Sequence, residues 1–306
     1  MMKFKAIISI IVIATMLCSC MVVCAEAETT NYGYQVLTGY KDGSPDTVRT
    51  YSSLAMMSRT NATKEAYCPP HLEEGSGISV MATRSQSDTS RHPYCAIGQM
   101  VTYFDSDGNG SIDTYKSGTA SLQAPDILIS AAHCFFDSNL GGWPVSMEFF
   151  PAKNTTGSSV SEADWVSASI SQAYADGPGW VSQEDWVIIQ IDSPLGNTYG
   201  WFGLHGCAQE QVNSVNVELA GYPTDKGGEQ WRSSGRFEGI DNNVMIHNMY
   251  STPGFSGAPV FDSEGSVYAI HILDYGTVHE GGATRMSDWL FEMIVDASEE
   301  SIQRWP

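Results

Sequence analysis

Beyond Pro93 the chain is built from short apolar runs that Gly, Asn, Asp and Pro interrupt at close spacing: Cys95–Phe104, Asp126–Ser130, Ser146–Phe150, Trp186–Ile191, Val215–Ala220, Val244–His247, Val260–Phe261 and Val267–Leu273. Runs of this length, parted by turn residues and lacking a helical period, predict an all-β fold, barrel or sandwich. The period changes once, at the C-terminus. There Trp289, Leu290, Met293 and Ile294 share one helical face behind Ser287, a suitable N-cap, so a single α-helix is expected to pack on the β body. From Glu28 to about Arg84 the chain is polar, has few apolar runs, and carries a Pro69-Pro70 break followed by Gly75-Ser76-Gly77. That composition suits a propeptide or linker better than a core.

The first residues have the three parts of an export signal: Met1-Met2-Lys3-Phe4-Lys5, an apolar stretch from Ala6 to Leu17, and Ala25-Glu26-Ala27, with cleavage expected after Ala27. Two other readings stay open. The apolar stretch extends to Val23, near the lower limit for a membrane anchor, and Leu17-Cys18-Ser19-Cys20 is close to a lipoprotein signal. All three send the rest of the chain out of the cytoplasm. The organisation expected is a signal at 1–27, a propeptide or linker at 28–84, and one domain at 85–306.

With 306 residues and 42% hydrophobic content, the chain is long enough to bury a full core. Its formal charge of −20, from 35 acidic against 15 basic residues, excludes nucleic acid as a partner, since phosphate binding needs a basic footprint. Four cysteines lie beyond the signal: Cys68, Cys95, Cys134 and Cys207. An even count in an exported protein predicts disulfides, but four cysteines allow three pairings. No CxxC pair is present, which argues against a zinc site.

Three segments carry candidate chemistry. Gly254-Phe255-Ser256-Gly257-Ala258-Pro259 sets a serine on a tight glycine turn, where backbone amides of Gly254 and Ser256 suit an oxyanion. Ile129-Ser130-Ala131-Ala132-His133-Cys134 places a histidine just after an apolar strand. Glu184-Asp185-Trp186-Val187-Ile188-Ile189 places a carboxylate at the mouth of another. Each has a structural reading of its own: an ordinary hairpin, a core histidine, a capped turn. Together they supply a nucleophile, a general base and an acid to fix its tautomer, in the order His, Asp, Ser.

These segments resemble the secreted bacterial glutamyl endopeptidases, the V8-like branch of the trypsin superfamily. Further matches are Pro93-Tyr94, Gly196-Asn197-Thr198, Gly200-Trp201-Phe202-Gly203, Gly221-Tyr222-Pro223 and Gln230-Trp231, so the likeness covers about residues 90 to 296. It implies two six-stranded antiparallel β-barrels, an extracellular monomer acting on protein or peptide substrates, and a zymogen opened between about Glu74 and Arg84 by an activating protease or by itself. No cofactor is required and no lasting membrane association is expected. It also implies that His271 and Ser251 recognise a glutamate at the cleaved bond. The rivals are a serine protease of other specificity and a catalytically silent β-barrel that binds peptides.

Three departures from the family bear on this. Pro253 stands where glycine is usual and stiffens the turn. Phe255 replaces a small or polar residue, so a more apolar subsite beside the nucleophile is expected. The half-cystine that partners Cys134 in several relatives is missing from Lys116-Ser117-Gly118-Thr119, which leaves Cys95 to pair with Cys134 or Cys207, or Cys68 with Cys207.

Asp105-Ser106-Asp107-Gly108-Asn109-Gly110-Ser111-Ile112-Asp113 follows the first nine positions of an EF-hand loop, with oxygen donors at Asp105, Asp107, Asn109 and Asp113. Position twelve is Lys116, so the bidentate glutamate is absent, and the flanks read as strands. A structural Ca2+ or a plain hairpin tip are the two expectations.

Overall fold

The computed structural model describes residues 34–51, 63–74, 83–155, 161–177, 182–206, 215–242, 244–277 and 279–306. The signal at 1–27, Cys207 and the stretch 75–82 lie outside the described residues.

Two antiparallel sheets dominate. The first draws on β1 (Tyr34–Tyr40), β2 (Thr47–Tyr51), β7 (Ile97–Phe104), β8 (Thr114–Ala124), β9 (Ile127–Ser130), β10 (Ser146–Pro151), β11 (Trp165–Ser171) and β12 (Val187–Ile191), in the order β10-β7-β8-β9-β12-β11-β1-β2. A bridge between Phe149 and Ala163 brings β10 against the chain entering β11. In the second, β14 (Asn216–Gly221), β15 (Trp231–Asp241), β16 (Val244–His247), β17 (Pro259–Phe261), β18 (Ser266–Thr277) and β19 (Glu280–Arg285) run β17-β14-β15-β16-β19-β18, and β17 also pairs with β18. Six strands thereby close a barrel and leave no edge among themselves. Short strands β3 (Thr63–Lys64), β5 (Ser85–Gln86) and β13 (Gly203–His205) join this sheet, while β4 (Glu73–Glu74) pairs with β6 (Arg91–His92). The expected all-β, two-barrel architecture is the one observed.

Two short helices, α1 (Gln172–Asp176) and α2 (Gly196–Tyr199), precede the expected terminal helix α3 (Asp288–Arg304). The Ser287 side chain accepts from the Leu290 amide as its cap, and Leu290, Phe291, Met293 and Ile294 are buried. At its far end Arg304 grips the buried Asp126 carboxylate through Nε (2.8 Å) and Nη2 (3.1 Å), so the helix is tied to the turn before β9.

The polar stretch ahead of residue 84 does more than link. β1 lies along β11 from Val36 opposite Ser171 to Tyr40 opposite Ser167, and Val36 is 2% exposed. Tyr34 stacks between Trp186 and Trp289, with ring centroids 6.2 and 5.5 Å away, and hydrogen-bonds the Glu184 carboxylate. Burial pushes that carboxyl up to about 7. Arg84, the downstream bound of the segment where activating cleavage is expected, pairs with Asp225, and its side chain is only 13% exposed.

Candidate active site

β9 carries the chain inward, and the short turn Ala132–Cys134 presents His133 at its end. Asp185 precedes β12 and is 3% exposed. Its two oxygens are both taken by His133: Nδ1–H donates to Oδ2 at 2.6 Å and the backbone N–H donates to Oδ1 at 2.9 Å. This pairing keeps the ring proton on Nδ1 and leaves Nε2 bare. Thr284 of β19 anchors the acid from behind by donating Oγ1–H to the Asp185 carbonyl at 3.1 Å. Burial works against the protonated ring, yet the neighbouring Cys134 sulfur and the Asp185 carboxylate outweigh it and hold His133 well above the ordinary histidine value. His133 and Ser256 line one cleft of about 500 Å³, together with Lys116, Cys134, Tyr174 and Ile272.

The serine loop is pinned by one residue of the first sheet. Thr119 donates its backbone N–H to the Ser256 carbonyl (2.8 Å) and its hydroxyl to the Gly254 carbonyl (2.9 Å). Thr252 to Phe255 closes a turn, with the Phe255 amide donating to the Thr252 carbonyl at 3.2 Å. Gly254 sits at φ +103, and a Cβ there would meet the Tyr222 carbonyl oxygen at 2.3 Å, so only glycine fits. One expectation is corrected here. Phe255 does not line a subsite: it is fully buried with Val260, Ala258 and Met249 in the core of the second barrel.

Behind the serine, Ser251 and His271 are both buried. They converge on one carboxylate oxygen, Oδ1 of Asp274: the Ser251 hydroxyl donates to it, and His271 Nε2 lies 3.6 Å from it. Burial raises the Asp274 carboxyl, with the Ser251 bond opposing. His247 of β16 stands behind His271, its Nε2 3.0 Å from His271 Nδ1, and the Met249 amide donates to His247 Nδ1 at 3.3 Å. An amide only donates, so the proton order follows from it. His247 accepts at Nδ1 and donates from Nε2; His271 accepts at Nδ1 and keeps its proton on Nε2, aimed at the carboxylate. Burial holds His247 down at about 3 and His271 well below 6.5, so both rings are neutral donors. His247, Asp274 and Thr119 were not legible as site residues in the sequence. For His247 the only signal was its place at the end of an apolar run.

The family model of the trypsin-like peptidase domain matches residues 118–270, half of the chain. The chain belongs to that family. A glutamyl endopeptidase of Bacillus licheniformis is 28% identical over 184 residues, covering 59% of this chain and 52% of the relative. A glutamyl endopeptidase of Staphylococcus aureus is 37% identical over 65 residues, 21% of this chain and 20% of the relative. The chain therefore spans about half the length of the first of these relatives and a fifth of the second. Among solved structures, a Glu endopeptidase in complex with MPD superposes with a TM-score of 0.56 at 22% identity, covering 74% of this chain and 99% of that one. The protease Anisep from Arthrobacter nicotinovorans gives 0.57 at 17%, covering 71% and 100%. Both establish likeness of fold.

In this trypsin-like domain the missing half-cystine has a visible counterpart. Gly118 abuts Cys134, such that an added Cβ would lie 2.7 Å from its Sγ. Cys68, Cys95 and Cys134 are free thiols, so the Cys95–Cys134 pairing is not formed. The reason is placement: Cys95 turns toward the Tyr199 carbonyl (3.0 Å), whereas Cys134 faces Gly118 and Ser256. The pairings through Cys207 lie outside the described residues. Asp105 to Asp113 forms the tip of the β7–β8 hairpin, and the Asp105, Asp107 and Asp113 side chains bring oxygens within 4.8 Å of one another. Asn109 instead turns its oxygen to the Ser111 amide (2.9 Å). Lys116, at the twelfth position, points away from the loop and donates to the His133 carbonyl (2.9 Å) and to Asp137 (2.7 Å).

Proposed function

We propose that this protein is an exported serine endopeptidase that cleaves peptide bonds after glutamate through an acyl-enzyme. The observation that carries the reading is the doubly bonded His133–Asp185 pair, which opens onto the cleft that also holds Ser256. Ser256 Oγ attacks the scissile carbonyl while its proton passes to His133 Nε2. The oxyanion is held by the amides of Gly254 and Ser256, and the departing amine takes the proton from His133. Water, deprotonated by the same imidazole, then releases the acyl group. Asp185, bonded to Nδ1, stabilises the imidazolium. The preference for glutamate is supported by the neutral donors of Ser251 and His271, which suit a carboxylate. The glutamyl endopeptidases among the relatives point the same way. Export rests on the N-terminal signal, and the molecule is made as a precursor and works as a monomer on protein substrates.

Fluorophosphonate labelling tests the reading, because it requires an activated serine. Parent protein is expected to label and Ser256→Ala to stay unlabelled. A peptide library should be cut after glutamate, with kcat/KM for those sites reduced roughly 100-fold in His271→Ala, since a buried hydrogen-bonding site discriminates strongly once its donor is gone. An unlabelled parent would restore the silent-binder reading. Cleavage after other residues would move the specificity.

A further inference from the structure

One of the two donors assigned to the substrate, Ser251, already holds a carboxylate of the chain itself, and the other, His271, faces the same oxygen from 3.6 Å. Asp274 lies on β18 three residues beyond His271, between two irregularities of the β18–β19 pairing, one from His271 to Leu273 and one from Asp274 to Thr277. In a regular strand residues three apart face opposite ways, so the first bulge is what turns Asp274 back toward His271. Its Oδ1 accepts from Ser251 and lies 3.6 Å from His271 Nε2, and its side chain is 27% exposed, so the carboxylate lies on the solvent side of these two buried residues and not in the core. The proton order from the Met249 amide through His247 leaves His271 one donor on that side and no acceptor. A glutamate side chain entering the pocket needs the same two donors. Both carboxylates cannot share them as anions at hydrogen-bonding distance.

We propose that Asp274 is an internal occupant of the acid-binding pocket and determines specificity by competition: a substrate glutamate binds by displacing the Asp274 carboxylate from Ser251 and His271. The inference rests on the glutamate reading above. It makes Asp274 a specificity determinant that weakens glutamate binding, so only substrates with further contacts along the cleft displace it. Neutral side chains, which do not compete for the two donors, are unaffected.

The test is calorimetric, on the full chain carrying Ser256→Ala so that nothing is turned over. The probes are two N-acetylated tripeptides that differ only in ending in glutamate or glutamine. Adding Asp274→Ala is expected to tighten binding of the glutamate peptide at least about tenfold, the scale of a charge-assisted hydrogen bond released for the ligand, and to leave the glutamine peptide unchanged. Asp274→Asn, which keeps shape and acceptor without charge, should fall between. Equal or weaker glutamate binding in both variants, or no binding in any of the proteins, overturns the proposal. An arginine-ending peptide that binds the parent and is lost on substitution overturns it as well, by making Asp274 the reader of a basic side chain. Fluorophosphonate labelling of the unsubstituted chain separates the two readings. A chain that labels without the affinity gain refutes only the occupant, and one that gains affinity without labelling refutes only the peptidase.

Discussion

His133 is set between opposing influences. Burial favours the neutral ring, whereas the Cys134 sulfur and the Asp185 carboxylate favour the imidazolium and prevail. A general base must be unprotonated, so kcat/KM falls as pH drops through this raised value, and the acid limb is expected above pH 6.5. Asp185→Asn removes the charge that retains the proton. The limb then moves to lower pH while kcat drops by about ten-thousand-fold, because the amide no longer imposes the working tautomer; a pH series with a fluorogenic glutamyl peptide measures both. The sequence displayed His133, Asp185 and Ser256 because each sits in a compact signature at a strand end. It hid Asp274, because the alternation of a regular strand sends residues 271 and 274 to opposite faces, and a bulge leaves no mark in composition. Phe255 misled for a related reason: adjacency to the nucleophile in sequence says nothing about which way a turn points the ring.

Among the elements, the β7–β8 hairpin raises the question of an ion. Its tip gathers three carboxylates, and in exchange the Gly110 and Asn109 amides donate to Asp105 while Ser106 donates to Asp113. Calcium in millimolar excess is expected to raise Tm by several degrees through binding to the folded form alone, and a chelator to reverse it. A melting curve indifferent to both assigns the carboxylates to the turn only. The strand before this tip was plain in the sequence as an apolar run; the strand after it was legible only as the loop's other flank, without an apolar run to mark its extent. β8 is buried from Gly118 to Ala124, yet its residues there include Thr119, Ser121 and Gln123, small or amide side chains of which Thr119 holds the serine loop and Gln123 bonds Ser121. Hydrophobicity does not show how far a strand runs when its buried positions are polar. The terminal helix, whose apolar face meets the core directly, was read at once.

At the level of the molecule, the buried histidine pair couples the acid pocket to stability. His247 is held at about 3 and His271 well below 6.5. Below 6.5 the unfolded chain therefore binds protons that the folded chain refuses, so stability present above pH 6.5 is lost on acidification; for His247 the loss runs at about 1.4 kcal/mol per pH unit down to about 3, and His271 adds to it in the same direction. Gln in place of His247 still donates to His271 but does not titrate. Urea unfolding of His247→Gln across this range is expected to show a shallower loss of stability on acidification; an unchanged slope would place the liability elsewhere. The two-barrel plan was legible from strand spacing, but the part played by residues 34–51 was not, because the side chains there that reach the core, Tyr34, Val36, Leu37 and Tyr51, are too few and too scattered to announce a strand. Those residues are bound to the first sheet by the β1–β11 ladder and by the aromatic stack at Tyr34, not by peptide linkage alone. A nick between residues 75 and 82 would then leave the upstream piece seated on the first sheet, and the protein would go on as a noncovalent pair of its own fragments.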